Sequence, residues 1–491
     1  MKKKQLTQKL LALVLSGVMV ASLAACGNSE PAPAPAESSE TPAVESSEAP
    51  AEEPVVEEPA APEYDFGGRV LRIGSYYDMT PNPESSAIEA ALAERIAFVE
   101  ENYNCKIEFV AIEGDYISEY VNSVLAGDPI VDIGYAITTT VLPSLIEGGI
   151  AYPISDLGVI DFDAYKWRSD VVDAGYYKGK NYTLLLKDPE IRYGIFWNKT
   201  LFEQNGLPNL YDLVEADEWN WDKFKEIAIA ANQDTDNDGT IDTYGFSARE
   251  NLAWCYLYSN GAYVAEKTDS GINIDLSDPA VDEALTALQD FTTTVEYANA
   301  IDWSTQSWDH MITDFRDGNR MMLLEEFWIS YAYLGDMTDD WGWVPFPKGT
   351  SADDWSCYGK ENGARIMLNG IENPEEAALI YDLITDLAET EEEWDDLMED
   401  KLEGWANDAE TVEYVSYIYN NKIAVINGVV GFSELNSAIN TMVREITSGA
   451  STPATAIETY QSQIEAVMTE LENHDYDADM QAYLQTEEAA Q

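Results

Sequence analysis

The chain is short of basic and imidazole groups. It has 27 Lys and Arg against 91 Asp and Glu over 491 residues, a formal charge of −64, and two histidines, His310 and His474. So acidic a chain lacks the cationic face that phosphate recognition needs, which excludes nucleic acid as a partner. It also opposes electrostatic attachment to anionic lipid. Two histidines give little basis for catalysis or metal binding built on histidine pairs. Cysteine is scarce as well: Cys26, Cys105, Cys255 and Cys357 include no C-x-x-C spacing, which argues against zinc. No nucleophile-elbow, zinc-protease or P-loop motif occurs.

What is present begins at the N-terminus. Lys2, Lys3, Lys4 and Lys9 precede a short apolar run from Leu10 to Val20, too short for an ordinary membrane span and suited to a signal peptide over 1–25. Leu23-Ala24-Ala25-Cys26-Gly27 resembles the bacterial lipobox. That resemblance implies acylation of Cys26 (palmitate) and a lipid-anchored protein on the extracellular face of a Gram-positive-like cell membrane; the competing reading is an ordinary cleavage site after Ala25. Residues 27–63 carry eight prolines and ten glutamates with no Lys or Arg. Such a segment buries too little apolar surface to offset its ordering entropy, so 26–63 reads as a disordered tether. Once Cys26 is acylated, three cysteines remain. They read as small buried hydrophobes, and any disulfide among them stays open.

From Gly68 the pattern alternates. Val70–Gly74, Lys106–Val110 and Val131–Tyr135 read as strands, and Ser85–Glu101 and Tyr116–Leu125 as helices, which implies right-handed crossovers in a parallel sheet. Further helices are expected at Trp221–Ala231, Pro279–Thr292, Pro374–Leu387, Glu434–Ile446 and Ala454–Leu471.

Asp234, Asp236 and Asp238 alternate along a loop, followed by Gly239, Thr240 and Asp242. Carboxylates at this spacing converge on a hard cation, with the Thr240 carbonyl and Asp242 able to complete the oxygen shell. Gly245 stands where an EF-hand has its bidentate glutamate, so the loop resembles shorter Ca²⁺ loops of the dockerin type. A structural Ca²⁺ is expected there; a solvated acidic turn is the alternative.

Several segments together carry a family resemblance: Gly179-Lys180-Asn181-Tyr182, Gly194–Lys199, Gly206-Leu207-Pro208, Trp219–Phe224, Phe315–Gly318 with Met322 and Trp328, Trp343–Gly349, and Asn373–Ala378. In order and spacing the chain resembles the extracellular solute-binding lipoproteins of ABC transporters, of the large two-lobed class that includes maltodextrin- and oligosaccharide-binding proteins. The resemblance implies an α/β fold of two lobes, each a mainly parallel sheet flanked by helices, joined by a hinge. Lobe one would hold 64–187 plus 365–412 and lobe two 188–364 plus 413–491. It implies a non-enzymatic monomeric receptor that takes a sugar or oligosaccharide between the lobes and delivers it to the transmembrane subunits of an ABC permease.

Sugars present apolar C–H faces and hydroxyl edges, so their sites use flat aromatics and carboxylates. Tyr76, Tyr77 and Tyr135 are placed by the strand pattern at the mouth of the first sheet. By resemblance, Trp328 is a stacking residue, Asp188 and Glu190 lie at the first hinge crossing, and Glu250 and Trp254 lie in a loop facing the ligand. Each has a packed or solvated alternative. Two other function classes remain: binding of a peptide or cationic small molecule, suited to the acids, and glycoside hydrolysis by a pair such as Glu325–Glu326 or Asp188–Glu190. Adjacent carboxyls do not provide the roughly 5–9 Å opposed geometry of that chemistry.

Overall fold

A computed structural model describes residues 64–138, 145–146, 148–188, 193–249, 251–268, 271–299, 304–359, 363–420, 424–425 and 433–473. The first half opens with β1 (Arg69–Ser75), α1 (Ala87–Tyr103), β2 (Cys105–Ala111), α2 (Tyr116–Leu125), β3 (Ile133–Ile137), β4 (Ala151–Tyr152) and β5 (Thr183–Leu184). Side chains fix these boundaries. The Ser86 hydroxyl accepts from the Glu89 N–H at 3.3 Å at the start of α1, Asn104 closes it at φ 54°, and Asp115 caps α2.

The chain then runs through β6 (Tyr193–Asn198), α3 (Trp221–Ala230), α4 (Leu252–Ser259), β7 (Met322–Glu326), α5 (Ile329–Tyr333) and β8 (Trp341–Pro345). It returns as β9 (Gly363–Leu368), followed by α6 (Pro374–Ile384), α7 (Glu391–Trp405) and α8 (Ala409–Asn420). The helices expected near 221, 279, 374, 434 and 454 form at Trp221–Ala230, Pro279–Thr294, Pro374–Ile384, Ser433–Thr447 and Pro453–Asn473.

The first sheet has the order β2-β1-β3-β9-β4, with β5 also on β9. β1 is parallel to β2 and β3, while β9 is antiparallel to β3, β4 and β5. Helix α2 packs so closely that a Cβ at Gly134 would lie 2.7 Å from the Tyr120 ring, and the Tyr120 hydroxyl donates to the Gly74 carbonyl at 3.2 Å. Leu71, Ile73, Val99, Ile133 and Ile366 form its core with α6 residues Ile380 and Tyr381.

In the second sheet, of order β7-β6-β8, β6 is antiparallel to both neighbours. This corrects the expectation of a mainly parallel sheet in each lobe. β7 and β8 run in the same direction on opposite sides of β6, with α5 as the connection between them. Hydrophobic period identifies a strand but says nothing about the direction of its neighbours. All residues of β6 and β8 are buried. Most of their side chains fall in two further clusters: one gathers Ile195, Trp219, Phe224, Phe291 and Val344, the other Phe196, Phe315, Leu323, Phe327 and Trp343.

Helix α7 packs against a different neighbour at each end. Its Trp394 and Met398 pack with Ile88 of α1, whereas Leu402 and Trp405 pack into the cluster around Trp343. Val412 and Val415 of α8 join that second cluster as well.

Candidate functional site

Two groups of partly exposed aromatic rings stand at strand ends. Tyr76 and Tyr77 directly follow β1, so they emerge beyond the carboxyl end of a parallel strand, the usual ligand edge of such sheets. They are 53% and 43% exposed, unusual for large rings. Their centroids lie 4.8 Å apart, and Tyr135 sits 5.5 and 5.9 Å from them. Tyr116 at the start of α2 completes the group, 5.4 Å from Tyr76. The Arg365 guanidinium lies 5.3 Å from the centre of the Tyr135 ring. Burial raises the hydroxyl pKa of Tyr76 and Tyr135 above 10.0, so both remain neutral hydrogen-bonding groups.

The second group surrounds Trp328, which precedes α5 and is half-buried. Trp308 lies 6.1 Å away and is 42% exposed, and Tyr333 is 5.9 Å from Trp328 and 6.1 Å from Trp308. The Trp328 Nε1–H donates to Glu326 Oε2 at 2.8 Å, and the Tyr193 hydroxyl donates to Glu326 Oε1 at 2.8 Å. Glu325 is 2% exposed and pairs with Arg249 at 2.7 Å. Burial holds its carboxyl above the ordinary carboxylate range, with Arg249 opposing the shift. Both members of the Glu325–Glu326 pair are thus engaged by neighbouring side chains. Trp308, Tyr333 and Tyr116 were not singled out by the sequence; Trp308 is twenty positions from Trp328, and no periodicity links them.

The remaining expected residues are placed differently. Trp254 lies within α4, 4% exposed and stacked on Tyr358 at 6.1 Å, so it offers a ligand almost no surface. Asp188 is partly buried and ion-paired with Lys401. Glu190, Glu250 and Cys26 lie outside the described residues. Cys105, Cys255 and Cys357 are buried free thiols, and burial raises the pKa of Cys105 and Cys255.

In the acidic loop after α3, carboxylate oxygens of Asp234, Asp236 and Asp242 lie within 4.8 Å of one another. The Gly239 N–H donates to Asp234 at 2.9 Å, and the Thr235 N–H to Asp242 at 2.7 Å. Asp238 is outside this trio and accepts from the Thr240 N–H at 2.7 Å. Three converging carboxylates at the surface suit a hard divalent cation. No described helix is long and apolar enough to cross a membrane.

The sequence model of the family described as bacterial extracellular solute-binding protein matches residues 80–391. No curated protein matches the chain. Among solved structures, it is similar to an ABC substrate-binding protein from Listeria monocytogenes in complex with cycloalternan, at 18% identity and TM-score 0.55, covering 82% of this chain and 99% of that one. The cyclic α-maltosyl-1,6-maltose binding protein from Arthrobacter globiformis gives 16% identity and TM-score 0.58, with 82% and 99% covered. A cyclo/maltodextrin-binding protein complexed with maltotetraose gives 14% and 0.57, with 81% and 97% covered.

Proposed function

The chain belongs to the bacterial extracellular solute-binding proteins, and we propose that it captures a sugar or oligosaccharide for an ABC importer. The observation that carries this reading is the pair of exposed aromatic groups, Tyr76–Tyr77–Tyr135 and Trp308–Trp328–Tyr333. Flat rings suit the C–H faces of pyranoses, and the phenol hydroxyls suit their edges. The similar structures that hold cycloalternan and maltotetraose support the same ligand class. A thermal-shift panel of malto-, manno- and cyclic oligosaccharides alongside peptides and amines tests it, since a ligand that binds only the folded state raises its melting temperature. Stabilisation by an amine or peptide and by no saccharide would overturn it.

The wider arrangement belongs to the same proposal. Cys26 carries the lipid that holds the receptor outside the cell, and the 26–63 tether lets a monomeric body reach the permease. An intact mass without lipid on Cys26 would remove the anchor. Asp234, Asp236 and Asp242, with Asp238 and Thr240 beside them, would hold a structural Ca²⁺ that neutralises a crowded acidic loop.

A further inference from the structure

Glu326 closes β7 opposite Tyr193 of β6, so the pairing register places the two side chains next to each other. Tyr193 is 3% exposed, and its hydroxyl receives the Asn251 Nδ2–H at 2.6 Å while donating to Glu326 Oε1. The other carboxylate oxygen receives the Trp328 indole N–H. A string of side chains therefore runs from the start of α4, across the second sheet, to the half-exposed ring beside Trp308. Helix α5 has five residues, and Trp328 precedes it without capping it. The main chain alone thus does little to fix the indole.

We infer that Glu326 is a positioning residue that sets the plane of Trp328 for stacking against a bound sugar ring. The inference rests on the saccharide reading above and adds the group on which the stacking surface depends. A carboxylate suits this role because it presents acceptors to two donors at once, the indole N–H and the phenol O–H. The angle it holds is the one that leaves Trp328 34° from the plane of Trp308. The preceding acid supports the same wall by another route: Glu325 holds Arg249, whose guanidinium lies 5.9 Å from the centre of the Trp308 ring.

The test uses the full chain labelled with ¹⁵N-tryptophan, with W328F assigning the indole resonance. In E326L, the ligand-free Trp328 N–H resonance should move upfield and exchange faster with water, while E326Q, which keeps one acceptor, should stay near wild type. Calorimetric titration with maltotetraose and mannotriose should show E326L weakened about tenfold, or ~1.4 kcal/mol, and E326Q within about threefold. An unchanged resonance in E326L overturns the inference. So does wild-type affinity in E326L, or an equal loss in both variants that follows a collapsed melting temperature. If the wild type binds neither saccharide, the thermal-shift panel decides the functional reading separately, and the ligand-free resonance by itself decides the positioning role.

Discussion

Lys401 Nζ lies 2.5 Å from Asp188 Oδ2, which ties the end of the first segment to α7. Beside it, Lys187 pairs with Asp395 at 3.6 Å and lies 4.6 Å from the centre of the Tyr419 ring. Because α7 also packs against α1 at one end and against the cluster around Trp343 at the other, these pairs brace the stretch of chain that follows β5. The Asp188 and Lys401 side chains are 29% and 13% exposed, so solvent weakens their attraction only in part. A double-mutant cycle with D188N and K401M should give a coupling of about 0.5–1 kcal/mol in urea unfolding. Additive effects of the two substitutions would show that the contact contributes nothing.

Trp328→Ala should weaken saccharide binding by about 1–3 kcal/mol in calorimetry, the scale of one lost aromatic contact. The melting temperature should fall only modestly, because the ring is half-buried among Trp308 and Tyr333. A melting temperature that collapses while affinity holds would place Trp328 with the core instead.

Removing divalent cations should lower the melting temperature if Asp234, Asp236 and Asp242 hold Ca²⁺. Asp236→Ala should abolish that dependence, since two remaining carboxylates make a poor shell. Identical melting curves with and without chelator would reduce the loop to an acidic turn.

Glu325 gives a signed pH dependence. Burial raises its folded pKa above the ordinary 4.5, so the folded state binds this proton more tightly than the unfolded chain. Its contribution to stability is therefore fully present below 4.5 and is lost as pH rises through the folded value. The stability of wild type relative to Glu325→Gln should fall as the pH is raised from there, measured as urea midpoints between about pH 4 and pH 8. A difference that stays flat or grows would mean that Arg249 outweighs burial at this site.

The local order of this protein is written in short-range pattern. Ser86 and Asp115 start helices, Asn104 ends one, and the alternation around Leu71 and Ile73 marks a buried strand. These features depend on neighbours within a few positions, so the sequence by itself determined them, together with the order of elements and the clustered aspartates of the acidic loop. Direction and partnership depend on residues far apart in the chain, and only the tertiary structure decided them. β7 and β8 both lie antiparallel to β6, against the parallel expectation. Trp254, at helical spacing from Tyr258, was open to a ligand role until Tyr358, from a distant part of the chain, covered it. Trp308 gained its place beside Trp328 in the same way, and Lys401 reached Asp188 across 213 positions. A side chain's exposure is set by what folds over it, and in this chain those covering groups come from distant segments.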